Sequence, residues 1–409
     1  MSDACRLCST PLSVSFCDLG ESPLSNAYLT AAEVAQEREP VYPLHAFVCT
    51  ECKLVQVPAM ESPVRIFSDY LYFSSFSASW VEHARLYTEK MLQRLKLDDT
   101  SLVMEIASND GYLLQHFVSK EIPVLGIEPA ANVAAVAREK GIPTEVLFFG
   151  AETAKQLVDR NGTANLIVAN NVIAHVPDLH DFIAGIKIAL HGCGTATFEF
   201  PHLLRLIEEV QFDTIYHEHF SYFAVGPLKR AFHEHGLEIV DVEELPTHGG
   251  SLRAYVAHSG SARTQASVER ILQAERARGL DRLETYTSFQ AKVDECKAHL
   301  LEFIARSKGE GLTIAGYGAP AKGNTLLNYC KVDKDSIPFT VDRSPYKQGR
   351  FLPGSHIPIL SPDVVYDTKP DILLILPWNL TYEVISQMHG IKEWGGKFAV
   401  AIPQAKIVE

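Results

Sequence analysis

The chain has 409 residues, of which 46% are hydrophobic, and its formal net charge is −13. This length and apolar content suffice for more than one core, and the acidic balance disfavours a nucleic-acid partner, because backbone phosphates are bound by Lys and Arg. No stretch has the apolar length of a membrane span, and the N-terminus "MSDACRLCST" lacks the layout of a signal peptide. We therefore expect a multidomain cytoplasmic protein that binds neither nucleic acid nor membrane.

Two C-x-x-C turns, Cys5–Cys8 and Cys49–Cys52, lie near the N-terminus. Four thiolates from two such turns suit the tetrahedral coordination of zinc. Because cysteine fills all four ligand positions, we expect the metal to be structural and not catalytic. The pattern predicts a zinc-binding domain over residues 1–60. A redox pair and unconnected core cysteines are the alternatives.

An aromatic, serine-rich segment then leads into a helical pattern, and from Ser101 short apolar strands alternate with helices. This alternation predicts a Rossmann-like domain with a doubly wound parallel sheet over residues 61–262. Residues 263–308 are charge-rich with a helical period and predict a connector. Residues 309–409 return to the α/β pattern and predict a second Rossmann-like sheet domain. The expected fold class is therefore α/β, with a small four-cysteine zinc-binding domain in front.

The first α/β unit contains "VMEIASNDGYLLQHF", which predicts a strand, a small polar turn and a helix. Such a turn lets backbone N–H groups and a helix N-terminus face a polar ligand at the carboxyl edge of a sheet. It lacks G-x-G-x-x-G, which disfavours a dinucleotide. Glu128 ends the next strand in "GIEP" and is placed to accept hydrogen bonds from two ribose hydroxyls. A solvated strand terminus is the alternative for Glu128.

The segment "FDTIYHEHFSYF" places Tyr216, His217, Glu218 and His219 in four consecutive positions. Imidazole suits a general base because its pKa lies near working pH, and an adjacent carboxylate can orient it. A hydrogen-bonded loop and a metal site at the two histidines are the alternatives. If the run is extended, His217 points away from the face of His219, so we leave it outside the catalytic set.

The last α/β unit contains "IAGYGAPAKGNT", again a strand, a small-residue turn and a helix, with Lys322. Backbone donors and a cation suit a pyrophosphate. The segment "DRSPYKQGRFLPGSHIPI" adds the cationic residues Arg343, Lys347 and Arg350. An NAD half-site is the alternative, since a G-x-G turn is a weak signal.

The order and spacing of these motifs resemble the nucleotide-sugar C-methyltransferase family, whose S-adenosylmethionine-dependent members methylate C3 of 4-keto-deoxyhexoses of the tetronitrose and mycarose type. The matching motifs are the double C-x-x-C, "SNDG", "GIEP", "AHVPD", "FDTIYHEHFSYF", "HGGSLR", "GYGAPAKGNT" and "KQGRFLPGSHIPI". The resemblance implies C-methylation through a base-generated enolate, in deoxysugar biosynthesis. It implies S-adenosylmethionine and structural Zn²⁺ as cofactors, a dTDP- or GDP-linked keto sugar as substrate, and a monomer or small homo-oligomer. An O- or N-methyltransferase acting on a nucleotide sugar and an NAD-dependent sugar oxidoreductase are the alternatives.

The resemblance also implies roles for individual residues. His219 is the expected base for C3, and the other expected catalytic residues are Tyr216, Glu218, His175, Tyr70 and Tyr72. The expected cofactor-binding residues are Glu105, Ala107, Asn109, Gly111, Glu128, Pro129, Asn170 and Asn171. The expected substrate-binding residues are Gly316, Tyr317, Gly318, Lys322, Arg343 and Lys347, and the expected zinc ligands are Cys5, Cys8, Cys49 and Cys52.

Two positions leave questions for the structure. Ala107 replaces the first glycine of the family pattern E-I-G-S-N-D-G. An alanine is tolerated there if its φ is negative, and its Cβ would crowd a ligand that approaches the backbone closely. Arg253 of "HGGSLR" either contributes to the substrate site or lies on the surface.

Overall fold

The computed structural model describes residues 4–36, 39–62, 64–65 and 73–409. Within these residues the strands form three sheets, of four, seven and six strands. The expected α/β fold class, with a cysteine-rich N-terminal part and two larger sheets, is confirmed. Among the helices described, none is both long and apolar enough to cross a membrane.

The N-terminal part is a small antiparallel sheet with a short helix, and its elements are β1 (Val14–Ser22), α1 (Ala31–Ala35), β2 (Tyr42–Val48) and β3 (Val55–Gln56). β2 pairs with both β1 and β3. Helix α1 begins with a capping box, in which the Thr30 hydroxyl accepts from the N–H of Glu33 and the Glu33 carboxylate accepts from the N–H of Thr30.

The middle part is built on the seven-stranded sheet. Its elements are α2 (Ala78–Leu95), β4 (Val103–Ile106), α3 (Leu114–Val118), β5 (Val124–Ile127), α4 (Ala131–Glu139), β6 (Thr144–Glu145), α5 (Ala151–Asn161), β7 (Ala164–Asn170), α6 (Leu179–Ala189), β8 (Leu190–Pro201), α7 (Leu203–Glu208), β9 (Ser221–Tyr222), α8 (Val225–Glu234), β10 (Leu237–Leu245) and β11 (Ser251–His258). The strand order is β10-β11-β8-β7-β4-β5-β6, with β4 to β8 parallel and β11 antiparallel to β8. All four residues of β4 are buried, as expected for a central strand with helices on both faces.

Strand β9 leaves this sheet and joins the N-terminal one. It pairs antiparallel with β3, with Val55 opposite Tyr222 and Gln56 opposite Ser221. The chain therefore enters the N-terminal sheet at Ser221, just after the turn that contains His219.

The C-terminal part starts with three helices and continues with the six-stranded sheet. Its elements are α9 (Ala266–Ala277), α10 (Leu283–Thr287), α11 (Phe289–Gly309), β12 (Ile314–Tyr317), α12 (Ala321–Cys330), β13 (Thr340–Val341), β14 (Ile359–Leu360), α13 (Val364–Thr368), β15 (Ile372–Ile375), α14 (Thr381–Gln387), β16 (Lys397–Val400) and β17 (Lys406–Val408). The strand order is β14-β13-β12-β15-β16-β17, parallel except for β17.

The N-terminal sheet shares its core with the C-terminal part. Phe16 of β1 is 1% exposed, and its ring stacks on Phe289 of α11 with centroids 4.6 Å apart and planes 1° apart. Its edge meets the ring of Tyr286 at 6.1 Å. Aromatic pairs of this geometry add to the free energy gained by burial. Phe16 therefore fastens the N-terminal sheet to α11.

Replacing Phe16 with alanine should lower the free energy of unfolding by about 3–5 kcal/mol, because it leaves a cavity between two buried rings. The midpoint of urea denaturation measures the effect. The control is Tyr382→Ala, since Tyr382 is 88% exposed and exposed positions change stability by about 0.5 kcal/mol or less. Equal midpoints for the two variants would contradict the packing described here.

Candidate functional site

A cavity of about 920 Å³ lies where the three parts of the chain meet. The residues predicted at the cofactor site that line it are Ala107, Asn109, Glu128, Pro129, Asn170 and Asn171. The predicted catalytic residues that line it are His175, Tyr216 and His219, and the predicted substrate residues are Tyr317, Gly318, Lys322, Arg343 and Lys347. One cavity thus borders members of all three predicted groups. Tyr70 and Tyr72 lie outside the described residues.

Glu128 closes the cofactor edge of the cavity. Its carboxylate accepts from the N–H of Asn109 at 3.0 Å and from the N–H of Ala130 at 2.8 Å. It therefore ties the turn after β4 to the start of α4. Burial raises the pKa of Glu128 to about 7, against the effect of these two hydrogen bonds.

Two predicted cofactor residues lie behind the cavity wall. Glu105 in β4 is 1% exposed, and burial, followed by the charge of Asp110, raises its pKa well above the usual value. Gly111 has a φ of +76°, and a Cβ on it would lie 2.2 Å from Cδ1 of Ile142. Glu105 and Gly111 thus support the turn after β4 from the side that faces away from the cavity.

The turn residues around this edge have unusual backbone conformations. Ala107, Asn109 and Asn171 have φ values of +52°, +50° and +55°. The condition of a negative φ at Ala107 is therefore not met, and the position has the left-handed conformation that favours glycine. Neither amide atom of the buried Asn170 side chain has a hydrogen-bond partner among the described residues. Unsatisfied buried polar atoms beside a cavity fit a polar ligand such as S-adenosylmethionine.

His219 sits in a turn, with both ring nitrogens engaged. Its Nδ1–H donates to the carbonyl of Thr214 at 2.8 Å, and the hydroxyl of Tyr216 donates to its Nε2 at 2.8 Å. This pattern assigns the tautomer in which Nε2 is the basic atom. Burial, and secondly the charge of His175, lower the pKa of His219 well below its usual value. The imidazole is therefore neutral at pH 7 and can accept a proton.

His175 packs edge-on against His219, with ring centroids 4.7 Å apart. Its Nδ1–H donates to the carbonyl of Glu218 at 2.8 Å, and burial lowers its pKa to about 4. The carboxylate of Glu218 does not line the cavity and accepts a hydrogen bond from the side chain of Asn26. Burial raises the pKa of Glu218 to about 7. The Glu218 carboxylate is thus placed to support the turn that carries His219 from the side that faces away from the cavity.

His217 is 1% exposed and donates from Nε2 to the carbonyl of Pro43 at 3.2 Å. The run is a turn and not an extended strand, so the alternation used to separate His217 from His219 does not apply. His217 is nevertheless directed into the N-terminal sheet. Within the described chain the cysteine cluster is the only group of His, Cys, Asp and Glu residues with metal-binding geometry, so the metal alternative for the two histidines has no support.

The C-terminal wall of the cavity carries cationic groups. Lys322, at the start of α12, donates to Asn379 at 2.8 Å and lies 4.5 Å from the ring centroid of Trp378. The indole N–H of Trp378 in turn donates to Asp213 at 2.7 Å. Burial lowers the pKa of Lys322. This chain of contacts fixes α12 against the segment that leads to His219.

The remaining substrate residues are placed differently from one another. Lys347 donates to the carbonyl of Ala319 at 2.8 Å, whereas Arg343 is exposed beside Glu383, 3.9 Å away. Gly318 has a φ of +89°, which favours glycine. Gly316 lies within β12 away from the cavity, where a Cβ would meet Oγ1 of Thr340 at 2.7 Å.

Several cavity residues were missed from the sequence. His248 accepts a hydrogen bond from Asn171 at 3.1 Å, and burial lowers its pKa to about 4. Trp80 lies beside it, with ring centroids 5.2 Å apart. Asp342 directly follows β13 and accepts from the N–H of Ala319 at 2.7 Å. A signal for Asp342 was present, because "FTVD" repeats the strand-ending acid of "GIEP".

Arg253 occupies neither of its two expected places. It is 3% exposed, lies 2.6 Å from the carboxylate of Glu199 and stacks over Tyr87 at 4.6 Å. Burial raises the pKa of Glu199, but the hydrogen bond from His83 and the charge of Arg253 outweigh this and lower it to about 2. Arg253 is therefore part of a buried ion pair in the seven-stranded sheet. A charge that a β-strand carries inward needs such a partner, because only a partner offsets the lost hydration.

The four predicted zinc ligands form a compact cluster, with all four sulfurs within 4.8 Å of one another. The sulfur of Cys5 lies 3.5 Å from that of Cys52, and that of Cys8 lies 3.4 Å from that of Cys49. Tetrahedral zinc with Zn–S bonds of about 2.3 Å places its sulfurs about 3.8 Å apart. The cluster therefore fits zinc closely, and no position is left for a substrate.

Family models match most of the chain in three consecutive blocks. They describe a zinc-binding domain at residues 5–67, a methyltransferase domain at 80–242 and a C-methyltransferase C-terminal domain at 246–403. Together with the sheet and its cavity, these matches define an S-adenosylmethionine-dependent methyltransferase with a structural zinc site.

The chain is 35% identical to C-methyltransferase NovU of Streptomyces niveus over 407 residues, which is 99% of this chain and 97% of that protein. It therefore belongs to the C-methyltransferase family that its motifs resemble. This membership supports methylation of carbon over the two alternative activities, which were methylation of oxygen or nitrogen and NAD-dependent oxidation.

Solved methyltransferase structures resemble parts of the chain. One from Anabaena variabilis is 17% identical, covers 42% of this chain and 84% of its own, and has a TM-score of 0.35. The glycopeptide N-methyltransferase MtfA is 13% identical, covers 42% of this chain and 94% of its own, and also has a TM-score of 0.35.

Replacing Cys52 with serine should release the zinc and destabilise the N-terminal part, because four-thiolate sites contribute folding free energy directly. Metal analysis of the purified protein should find about one equivalent of zinc in the unaltered chain and less than about half an equivalent in the variant. The control is Cys193→Ser, since Cys193 is exposed and outside the cluster. A Cys52→Ser protein that keeps its full zinc content would remove Cys52 from the ligand set.

Proposed function

We propose that this protein transfers a methyl group to C3 of a nucleotide-linked 4-keto-6-deoxy sugar, as a step of deoxysugar biosynthesis. The observation that carries the proposal is that one cavity borders a neutral imidazole, the polar edge of the seven-stranded sheet and the cationic wall of the C-terminal part. C-methylation of such a sugar requires a base, a cofactor site and a site for a nucleotide in one place.

The keto group of the sugar itself makes removal of the C3 proton easier. It acidifies the neighbouring C3–H and holds the resulting negative charge on its oxygen as an enolate. His219 is the proposed base, because its Nδ1–H is fixed by the carbonyl of Thr214 and its Nε2 therefore has the lone pair. Its lowered pKa keeps it unprotonated at neutral pH. When Nε2 takes the C3 proton, the hydrogen bond to Thr214 stabilises the imidazolium that results.

The groups around His219 are proposed to stabilise the enolate. The Tyr216 hydroxyl, which donates to Nε2 of His219, can donate to the enolate oxygen when the sugar is bound. His175 packs against the ring of His219 and gives its Nδ1–H to the carbonyl of Glu218, so its proposed role is to hold the turn and not to donate to the enolate. The buried carboxyl of Glu218 acts from behind the turn through its hydrogen bond from Asn26.

The cofactor is proposed to lie along the edge formed by the turn after β4 and by Glu128. S-adenosylmethionine, when bound there, supplies the electrophilic methyl group. Glu128 is proposed to accept from the ribose hydroxyls, and the unsatisfied amide of Asn170 offers both a donor and an acceptor. Tyr112 and Trp80 line the same side, with ring centroids 6.0 Å apart, and provide an aromatic wall.

The nucleotide is proposed to lie against the C-terminal wall. Lys322 and Lys347 both line the cavity there and are held by carbonyl or amide oxygens. The turn of Gly318 precedes α12, so the helix N-terminus faces the same space. Two cations and a helix N-terminus suit a pyrophosphate. Arg343 lies at the exposed rim of the cavity, where it is proposed to contact a negatively charged part of the nucleotide that reaches the solvent.

The proposal is tested by incubating the protein and S-adenosylmethionine with 4-keto-6-deoxy sugars linked to dTDP and to GDP, in deuterated water. One of these substrates should gain a methyl group at C3, and its C3–H should exchange with solvent when S-adenosylhomocysteine replaces the cofactor. The matched control is the same nucleotide sugar with C4 reduced to a hydroxyl, which should neither exchange nor be methylated. Methylation of that reduced sugar on oxygen would overturn the proposal.

Glu128→Gln should weaken the binding of S-adenosylhomocysteine by about 1–3 kcal/mol, which is the size of charge-assisted hydrogen bonds. Burial raises the pKa of Glu128 to about 7, so the carboxylate takes up a proton as the pH falls through 7. Calorimetry should therefore show affinity that declines from pH 8 to pH 6 in the unaltered protein and is flat in the variant. The control is Glu139→Gln, on the exposed face of α4. Unchanged affinity in Glu128→Gln would remove Glu128 from the cofactor site.

His219→Asn should lower turnover by about 10²- to 10⁴-fold, the usual contribution of a positioned base. Because the loss lies in proton removal, exchange of C3–H with deuterated solvent should fall in parallel, while S-adenosylhomocysteine still binds. The control is His233→Asn, which changes an exposed histidine of α8. If C3–H exchange in His219→Asn continues at the rate of the unaltered protein, another group is the base.

A further inference from the structure

The turn that carries His219 is held from behind by the first C-x-x-C turn of the zinc site. Arg6, inside that turn, donates from its guanidinium to the carbonyl of Phe220, to the hydroxyl of Ser221 at 3.2 Å and to the carbonyl of Val57 at 2.8 Å. Phe220 and Ser221 are the two residues that directly follow His219. The Arg6 guanidinium also lies 5.6 Å from the centroid of the Phe220 ring. One side chain thus joins the zinc site to the backbone next to the proposed base.

Arg6 is itself fixed in place. Its N–H donates to Oε1 of Gln56 at 3.0 Å, and the Gln56 amide donates to the sulfur of Cys5 at 3.2 Å. Gln56 is 1% exposed and lies in β3, opposite Ser221 of β9. The metal ligand, the arginine and the strand after His219 are therefore parts of one hydrogen-bonded unit.

We propose that Arg6 is a positioning residue for His219: the zinc-bound turn holds the guanidinium, and the guanidinium sets the position of the imidazole through the adjoining backbone. This inference rests on the proposed function, in which His219 removes the C3 proton. A base acts only within hydrogen-bond reach of its proton, and a misplacement of about 1 Å costs up to about 10²-fold in rate. The metal then serves catalysis although it does not touch the substrate.

Arginine suits this role better than lysine. The guanidinium is planar and carries five N–H donors in a fixed fork, so it can hold several acceptors in one relative geometry. Here its acceptors belong to two different chain segments, Val57 on one side and Phe220 with Ser221 on the other. An ammonium group is a single point of attachment and cannot fix the two segments in the same way.

The first test compares Arg6→Met with Arg6→Lys. Arg6→Met keeps the length of the stem but removes the donors, and we expect turnover and C3–H exchange to fall about 10- to 100-fold. The Michaelis constant, the affinity for S-adenosylhomocysteine and the zinc content should change by less than about twofold, because the cavity and the ligands remain. Arg6→Lys should be intermediate. The matched control is Arg230→Met, which removes an exposed arginine that pairs with Glu234 on α8.

The second test separates positioning from general support of the fold. If Arg6 acts through the imidazole, the change of Arg6→Met should cost no further turnover in a His219→Asn background, because the group it positions is gone. An equal loss in both backgrounds would overturn the proposal. If Arg6→Met does not fold, Ser221→Ala replaces it in the same cycle. Ser221→Ala removes one acceptor, and its smaller loss of about two- to tenfold should likewise vanish without His219.

The third test needs no substrate and so keeps this inference apart from the proposed function. Hydrogen exchange of the amides in residues 216–222 should be about tenfold faster or more in Arg6→Met than in Arg230→Met, since the turn loses its anchor. If His219→Asn retains C3–H exchange, the proposed role of His219 as the base fails, and the amide exchange still decides whether Arg6 orders the turn. Amide exchange and turnover that both stay as in the Arg230→Met control would overturn the role of Arg6.

Discussion

The site depends on how firmly one turn, which carries His219, is held between the three parts of the chain. Residues 215–222 have no regular structure of their own beyond the two residues of β9, yet Ile215 and Phe220 are buried, and His219 loses enough hydration for its pKa to fall well below the usual value. Burial favours the neutral form of the imidazole, which is the form that can take a proton from carbon. A turn this short cannot bury its own side chains. Each part of the chain therefore contacts this turn: His175 from the segment after β7, Asn26 from the N-terminal part and α12 from the C-terminal part.

This arrangement explains why the domains are less separate than the sequence indicates. Three of the zinc ligands pack in the hydrophobic core of the seven-stranded sheet, whereas Phe16 and the rest of the N-terminal sheet pack with α11 and the six-stranded sheet. The N-terminal part thus lies between the two larger ones and has its apolar surface divided between them. Strand β9 returns to pair with β3, so that the sheet also includes the chain next to His219. A zinc site here fixes the relation of two segments that are far apart in sequence.

Much of the fold and part of the site could be predicted from the sequence. The alternation of apolar strands and helices reflects which residues are buried, so the α/β class could be predicted from it. The two C-x-x-C turns specify a tetrahedral cluster, so the four clustered cysteines could be predicted as well. The conformation of Ala107 did not, because the tertiary context imposed a positive φ on a residue that does not favour it. Arg253 was misplaced for a related reason: a charged residue in a strand indicates the surface unless its partner, Glu199, is known to lie opposite. His248 and Asn26 reach the cavity only through the packing of separate parts, which no local pattern contains.

The seven-stranded and six-stranded sheets shape opposite ends of the cavity with the same kind of hydrogen bond. In each, an acid that directly follows the second strand accepts from the N–H of the turn after the first strand: Glu128 from Asn109 and Asp342 from Ala319. This hydrogen bond holds the turn open before any ligand arrives. What differs is the neighbouring charge, because Glu105 and Asp110 lie near Glu128, whereas Lys322 and Lys347 border the turn near Asp342. The second end is thus cationic, whereas burial raises the pKa values of Glu105 and Glu128 at the first end, so the carboxyl groups there do not add up to a fixed negative charge. In the proposed function the cationic end is the one that suits a negatively charged pyrophosphate, and the sugar then lies between the two turns, beside His219.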